Sequence, residues 1–191
     1  MADLPVDRDG AVTLLEEFIS QSNLVKHCLA TEAIMKKLAS RLGENVEIWG
    51  MIGLLHDLDF EETKDAPTLH TLTATTILEE KGFSRDFTRA VRSHNEAVEG
   101  WERIERVDFA LTCAESVTGL IVAAALVRPE KEDQLKHVKV SSLKKRMKEK
   151  AFARGVNRDS VREFTRLGLE LDEFLELSLE AMREISKELG L

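Results

Sequence analysis

The chain has 191 residues, of which 43% are hydrophobic and 32% are charged, and its formal net charge is −8. This composition excludes a disordered or fibrous chain, and the length suits one domain with a sizeable core. The acidic balance disfavours binding to long nucleic acids, and the scarcity of proline and glycine disfavours an all-β sandwich.

Nearly every segment has the period of an amphipathic α-helix. Asn23 is predicted to cap a helix that ends at Gly43, and Asn45 to cap one that continues to about Asp57. Pro67 is predicted to be the first residue of the next helix. The later predicted helices cover residues 67–80, 84–94, 108–127, a segment from about 141, 157–167 and 172–189. With no hairpin signal, βαβ alternation or repeat, we expect a compact all-α multi-helix bundle that forms a single domain over residues 1–191.

Several features predict where the protein resides. Residues 1–10 contain no basic stretch followed by an apolar one, so no targeting peptide is expected. The apolar stretch 111–127 is about one turn short of a membrane span and contains Glu115. Cys28 and Cys113 are interpreted as buried thiols in a reducing compartment. The sequence therefore predicts a soluble, cytoplasmic protein that does not enter a membrane.

Positive charge is concentrated in one segment. Residues 136–158 contain nine lysines and arginines and a single acid, Glu149. One interpretation is a solvated helix face with a loop, and the other is a flank that attracts anions beside a substrate site. The sequence does not decide between them.

Histidines and acids in the first half of the chain form a candidate metal site. His27, His56, His70 and His94 lie there, and His56 is followed directly by Asp57 at the end of an apolar helix. Adjacent helical residues point about 100° apart, so both reach one cation only where the helix ends. Imidazole and carboxylate ligands suit a divalent transition metal ion, with Fe, Mn, Zn, Co and Ni all compatible.

Two glycines lie in the helix that carries this pair. Gly50 and Gly53 each cost about 1 kcal/mol of helix stability relative to alanine. We interpret them as positions where another backbone comes close, with incidental packing glycines as the alternative.

Glu115 lies within an almost entirely apolar helix. A buried carboxylate must be paired, protonated or bound to a metal, because a lone buried charge is very costly. A salt bridge is one alternative, and metal ligation is the sharper hypothesis. Asp108, two turns earlier on the same face, is the reserve candidate.

The pattern of His27, His56-Asp57 and a late acid on an apolar helix resembles the HD-domain superfamily of metal-dependent phosphohydrolases. The stretch GLLHDLDFEETKD is similar to a group of small bacterial HD proteins. The resemblance covers about residues 20–185 and implies an HD core over about 20–130 with a C-terminal helical extension over 131–191.

Carried over to this chain, the resemblance implies that His27, His56 and Asp57 bind a metal. The last ligand of the family is usually Asp on a helix similar to AAD, where this chain has Ala114 followed by Glu115. Some members hold two metals, and their additional ligands match His70 and His94, with Asp57 as the bridge. One or two divalent transition metal ions are therefore expected as cofactor.

The implied activity is hydrolysis of a small phosphorylated metabolite, such as a nucleotide, by metal-activated water. The candidate catalytic residues are Asp57, His70, His94 and Lys64. As an alternative to binding a second metal, His70 and His94 would contact phosphate or protonate the leaving group. Lys64 is either a phosphate contact or a surface lysine. Asp59 is a candidate for orienting a ligand histidine. The alternatives are a di-iron oxygenase on the same scaffold and a non-catalytic module that binds a metal or a nucleotide.

Overall fold

The computed structural model describes residues 4–98, 102–130 and 132–191, which form helices joined by turns, with no strand among them. The all-α prediction is confirmed. The predicted boundary at residue 131 and the first three residues of the chain lie outside the described ranges. The helices are α1 (Arg8–Phe18), α2 (Ser22–Leu42), α3 (Val46–Leu55), α4 (Phe60–Thr63), α5 (Leu72–Glu80), α6 (Arg85–Arg92), α7 (Arg106–Leu126), α8 (Gln134–His137), α9 (Val140–Lys148), α10 (Arg158–Arg162), a 3-10 helix (Glu163–Leu167), α11 (Leu171–Glu184) and α12 (Ser186–Leu189).

Local capping chemistry sets several of the helix ends as predicted. The side chain of Asn45 accepts a hydrogen bond from the N–H of Ile48, and that of Ser84 accepts one from the N–H of Phe87. Gly43 ends α2 with a φ of 73°, which glycine adopts without steric cost.

Other helix starts differ from the prediction. α1 was not predicted, although Asp7 caps it by accepting a hydrogen bond from the N–H of Gly10. The cap assigned to Asn23 is wrong, because α2 begins at Ser22 and Asn23 is already its second residue. α7 begins at Arg106, two residues before the predicted start.

The predicted start at Pro67 is also wrong, because residues 67–71 form turns and α5 begins at Leu72. The side-chain amide of Asn95 donates hydrogen bonds to the carbonyls of Pro67 and His70, both at 2.8 Å. Thr71 has a φ of 75°, which interrupts helical geometry immediately before α5. These contacts place His70 at the end of a turn that is anchored next to His94.

The core forms where α2, α3 and α7 pack together. α11 packs against α2, and α10 and the 3-10 helix pack against α7. The segment after residue 131 is therefore in contact with the helices of the first two thirds of the chain. Cys28 and Cys113 are free and buried in this core, as predicted.

Within the described residues, one helix, α7, is long and apolar enough by length and composition to cross a membrane, with a mean hydropathy of 1.8 over its most apolar window. Within the fold, 67% of that window is buried. Burial of this kind is typical of the core helix of a globular protein.

The predicted close approach of another backbone is confirmed at Gly53 and is wrong at Gly50, where the close neighbour is a side chain. An ideal Cβ on Gly53 would lie 2.9 Å from the carbonyl oxygen of Thr31 and 3.0 Å from the backbone nitrogen of Glu32. An ideal Cβ on Gly50 would lie 2.5 Å from the side chain of Lys36. α3 therefore touches the backbone of α2 at Gly53, three residues before His56.

We expect Gly53→Ala to lower the free energy of unfolding by about 1–3 kcal/mol, because the added methyl group meets backbone atoms that have no side-chain freedom to move. Gly155→Ala is the matched control, since no atom lies within 4 Å of an ideal Cβ there, and it is expected to stay within about 0.5 kcal/mol of wild type. Urea unfolding measures both variants. Equal stabilities would contradict the close contact.

Candidate metal centre

Four histidines surround the buried carboxylate of Asp57. His27, His56 and Asp57 form one group that could hold a metal ion, and Asp57, His70 and His94 form a second. α2 supplies His27, the end of α3 supplies His56 and Asp57, and the other two histidines lie beside α5 and α6. The structure thus brings together five of the six residues predicted as metal ligands.

The two groups use different oxygens of Asp57. Oδ2 lies 3.6 Å from Nε2 of His27 and 3.5 Å from Nε2 of His56, and these two nitrogens are 3.2 Å apart. Oδ1 lies 3.4 Å from Nε2 of both His70 and His94, which are 3.1 Å apart. Ligand atoms bound to one metal ion at about 2.1 Å are separated by roughly 3.0–3.5 Å, so both groups fit an ion.

Backbone carbonyls fix the orientation of two of these rings. Nδ1 of His56 donates to the carbonyl of Gly53 at 2.8 Å, and Nδ1 of His94 donates to the carbonyl of Val91 at 2.6 Å. A carbonyl only accepts, so the proton of each neutral ring is on Nδ1 and the lone pair is on Nε2.

Asp59 orients the ring of His70, as predicted. Its Oδ1 accepts a hydrogen bond from Nδ1 of His70 at 2.8 Å, and its Oδ2 accepts one from the N–H of Ala74 at 2.8 Å. The carboxylate is buried and held by α5, so it fixes both the rotation and the protonated nitrogen of the ring.

Thr118 does the same for His27 and was not identified from the sequence. Its hydroxyl donates to the carbonyl of Glu115 at 2.6 Å and therefore accepts from Nδ1 of His27 at 2.9 Å. The only available signal was its position three residues after Glu115, on the same side of α7.

The donor set favours a cation at each position. All four Nδ1 atoms have acceptors, so the Nε2 atoms of each histidine pair point toward each other and toward Asp57. Burial lowers the pKa of His56 to about 3, so this ring is neutral and provides a lone pair at neutral pH. A divalent ion between the facing Nε2 atoms of a pair would be coordinated by their lone pairs, which otherwise repel each other.

The charges around Asp57 likewise favour a cation at the centre. Burial opposes ionisation of Asp57, yet the neighbouring histidines, among them the hydrogen-bonding His70 and His94, hold the pKa of the carboxyl well below its usual range. Burial likewise opposes a charge on His70, but the carboxylates of Asp57 and Asp59 raise its pKa to about 9, so a bound cation would displace a proton from its Nε2. The centre therefore stabilises positive charge beside an ionised carboxylate.

Glu115, the sixth predicted ligand, lies outside the two groups of ligand atoms. Its carboxylate accepts a hydrogen bond from the hydroxyl of Ser116 at 2.6 Å, and it lines the same cavity as His27 and His94. Burial raises the pKa of Glu115, although both histidines act in the opposite direction. Glu115 therefore lines the cavity beside the centre without belonging to either group.

Two other candidates lie elsewhere. Asp108 is wrong as a reserve ligand, because its carboxylate pairs with Arg89 and accepts hydrogen bonds from the N–H groups of Ile104 and Glu105 at the start of α7. Lys64 is exposed at the end of α4 and is not among the described residues that line the cavity.

The cavity beside the centre has a volume of about 720 Å³. His27, His94 and Glu115 contribute to one wall, and residues 153–157 of the basic segment contribute to another. Arg154 of the basic segment and the candidate ligands therefore line the same space.

We expect about two metal ions per chain, one in each group of ligands. His70→Ala should retain about one ion, because the His27 and His56 group stays intact, whereas Asp57→Asn should lose most of both. His137→Ala is the control, since His137 lies near Glu130 and outside both groups. Elemental analysis of the purified variants measures the stoichiometry, and loss of no metal from Asp57→Asn would contradict the shared carboxylate.

Asp59→Ala tests the orientation of His70. Removing the carboxylate frees the ring to rotate, and we expect the affinity for the ion held by His70 and His94 to fall by about 10- to 100-fold. Asp65→Ala is the control, because Asp65 is exposed nearby and belongs to neither group. Competition with a metal-chelating dye gives both affinities. Equal affinities in the two variants would remove the orienting role.

A family model matches this chain, whereas no curated protein and no solved structure does. The model of the HD domain family matches residues 24–189, which include all six predicted ligands and the C-terminal loop that lines the cavity. A match over this much of the sequence shows the family: the chain belongs to the HD domain family.

Proposed function

We propose that this protein is a metal-dependent phosphohydrolase that acts on a small phosphorylated metabolite, such as a nucleotide. The proposal is carried by one observation: the two oxygens of Asp57 each face a separate pair of histidine Nε2 atoms beside an open cavity. HD domains form a superfamily of metal-dependent phosphohydrolases, and the histidine and aspartate groups here could hold the metal.

The residues that would hold the ions are His27, His56, Asp57, His70 and His94, with Glu115 as a further ligand from α7. A bound divalent ion supplies Lewis-acid polarisation of a phosphoryl oxygen and a hydroxide nucleophile at neutral pH. The identity of the metal belongs to the same proposal, and Fe, Mn, Zn, Co and Ni all suit this donor set.

The protein itself would position the substrate. Of the five clustered ligands, His27 and His94 line the cavity, so we place the phosphoryl group on their side of Asp57. Glu115 lies on the same wall, where its carboxylate would orient the nucleophile or complete the metal ligation. A volume of about 720 Å³ suits a small molecule and not a folded polymer.

We expect the metal-loaded protein to release phosphate from at least one class of phosphate ester, and His56→Ala to lose at least about 100-fold of that activity. Prolonged chelation should abolish turnover, and a divalent transition metal should restore it. Phosphate release over a panel of nucleotides, sugar phosphates and simple monoesters is the measurement.

His137→Ala is the control for this experiment and should keep wild-type activity. A protein that carries its full metal complement and still hydrolyses no ester in a broad panel would contradict the proposal. Activity that persists in both His56→Ala and Asp57→Asn would contradict the site assignment.

A di-iron oxygenase is the second candidate, because it needs both His70 and His94 beside a shared Asp57, and the structure brings these residues together. Iron as the native metal, with oxygen consumption and no phosphate release, would favour it. Zinc or manganese as the native metal would exclude it.

A further inference from the structure

Arg154 stands out among the residues around the cavity. It is the one lysine or arginine among the described residues that line this space, whose other charged groups include Glu96 and Glu115. Nearby arginines are engaged elsewhere: Arg103 pairs with Glu96, and Arg162 pairs with Asp159. No ion pair joins Arg154 to any residue in the described ranges, so its charge is available to a ligand.

The loop that carries Arg154, residues 149–157, is organised by a buried arginine. Arg158 donates hydrogen bonds to the carbonyl of Ala153 at 2.6 Å and to that of Val156 at 2.8 Å. It also donates to the carbonyls of Phe152 and Glu149. A guanidinium is costly to bury unless it is hydrogen-bonded. Here it donates to four carbonyls of the loop, so Arg158 stabilises the loop and is not free to bind a ligand.

The backbone of the loop is strained next to Arg154. Ala153 has a φ of 46°, in the left-handed region that a residue with a Cβ adopts only at an energetic cost. Such residues persist where their surroundings hold them, and they are concentrated at ligand-binding sites. Here the holding contact is the hydrogen bond from Arg158 to the carbonyl of Ala153.

We propose that residues 149–157 form a phosphate-binding loop, in which Arg154 binds the oxygens of a phosphoryl dianion and Arg158 is a positioning residue. The inference rests on the proposed function for the place of that dianion, beside His27 and His94. It adds the group that offsets the ligand's negative charge in a cavity with acidic walls. A guanidinium suits this task because its paired N–H groups match two phosphate oxygens.

Binding of orthophosphate to the metal-loaded protein tests the proposal without depending on turnover. We expect Arg154→Ala to weaken binding by about 10- to 100-fold, the range for a lost hydrogen bond to a charged group. Arg154→Lys should lose less, because the charge remains while the paired N–H geometry is lost. Isothermal titration calorimetry at fixed ionic strength measures the affinities.

Lys150→Ala is the matched control. Lys150 is exposed in the same loop and carries the same charge, but it does not line the cavity of the metal centre. We expect its affinity for orthophosphate to stay within about twofold of wild type. An equal loss in Lys150→Ala and Arg154→Ala would show general attraction by the basic segment and overturn the specific contact, as would wild-type affinity in Arg154→Ala.

Two further variants test the role of Arg158. Arg158→Lys should weaken orthophosphate binding about as much as Arg154→Ala while leaving the metal content unchanged. Because Arg158→Lys risks misfolding, Ala153→Gly provides a second test: glycine adopts positive φ freely, so the fold is kept while the loop gains freedom and affinity falls about two- to fivefold. Wild-type affinity in Ala153→Gly, or in a folded Arg158→Lys, would overturn the positioning role.

The outcomes separate this inference from the proposed function. Orthophosphate binding that depends on Arg154, in a protein that hydrolyses no ester, would leave the phosphate-binding loop standing and contradict the hydrolase. Ester hydrolysis that is unaffected in Arg154→Ala, with unchanged orthophosphate affinity, would do the reverse.

Discussion

The carboxylate of Asp57 is the group on which the candidate site depends. Each of its oxygens faces two Nε2 atoms at 3.4–3.6 Å, and the four imidazoles hold the carboxyl in its ionised form. This arrangement requires that every histidine keep its proton on Nδ1. Two backbone carbonyls, Asp59 and the hydroxyl of Thr118 provide the acceptors. The orientation of the four rings is thus set by hydrogen bonds of Nδ1, on the side of each ring that faces away from Asp57.

The fold supplies these acceptors through close helix packing. Because Gly53 has no side chain, α3 reaches the backbone of α2, and His56 comes within 3.2 Å of His27. Asn95 positions the other histidine pair, because its side-chain amide donates a hydrogen bond to the carbonyl of His70 and holds the turn that ends there. The C-terminal segment then lines the cavity with the loop that carries Arg154. Elements far apart in the chain therefore build one centre.

The sequence predicted what local chemistry determines. Helical periodicity gave the all-α class, and the side chain of Asn45 identified a helix start. The start at Pro67 failed because Asn95, 28 residues away, takes the carbonyl of that proline, and no local pattern reveals such a bond. Thr118 was missed for the same reason: no local pattern shows that its hydroxyl, within an apolar helix, binds the distant His27. The place of Arg154 depended on how the C-terminal helices pack.

We propose that Asp57 is shared by two metal ions, one held at each of its carboxylate oxygens. Anomalous diffraction from crystals of the metal-loaded protein tests it most directly. We predict two peaks about 3.5–4 Å apart, one near each oxygen of Asp57, each about 2.0–2.2 Å from two histidine Nε2 atoms. A single peak that does not touch Asp57, or metal bound only outside the four histidines, would contradict the account.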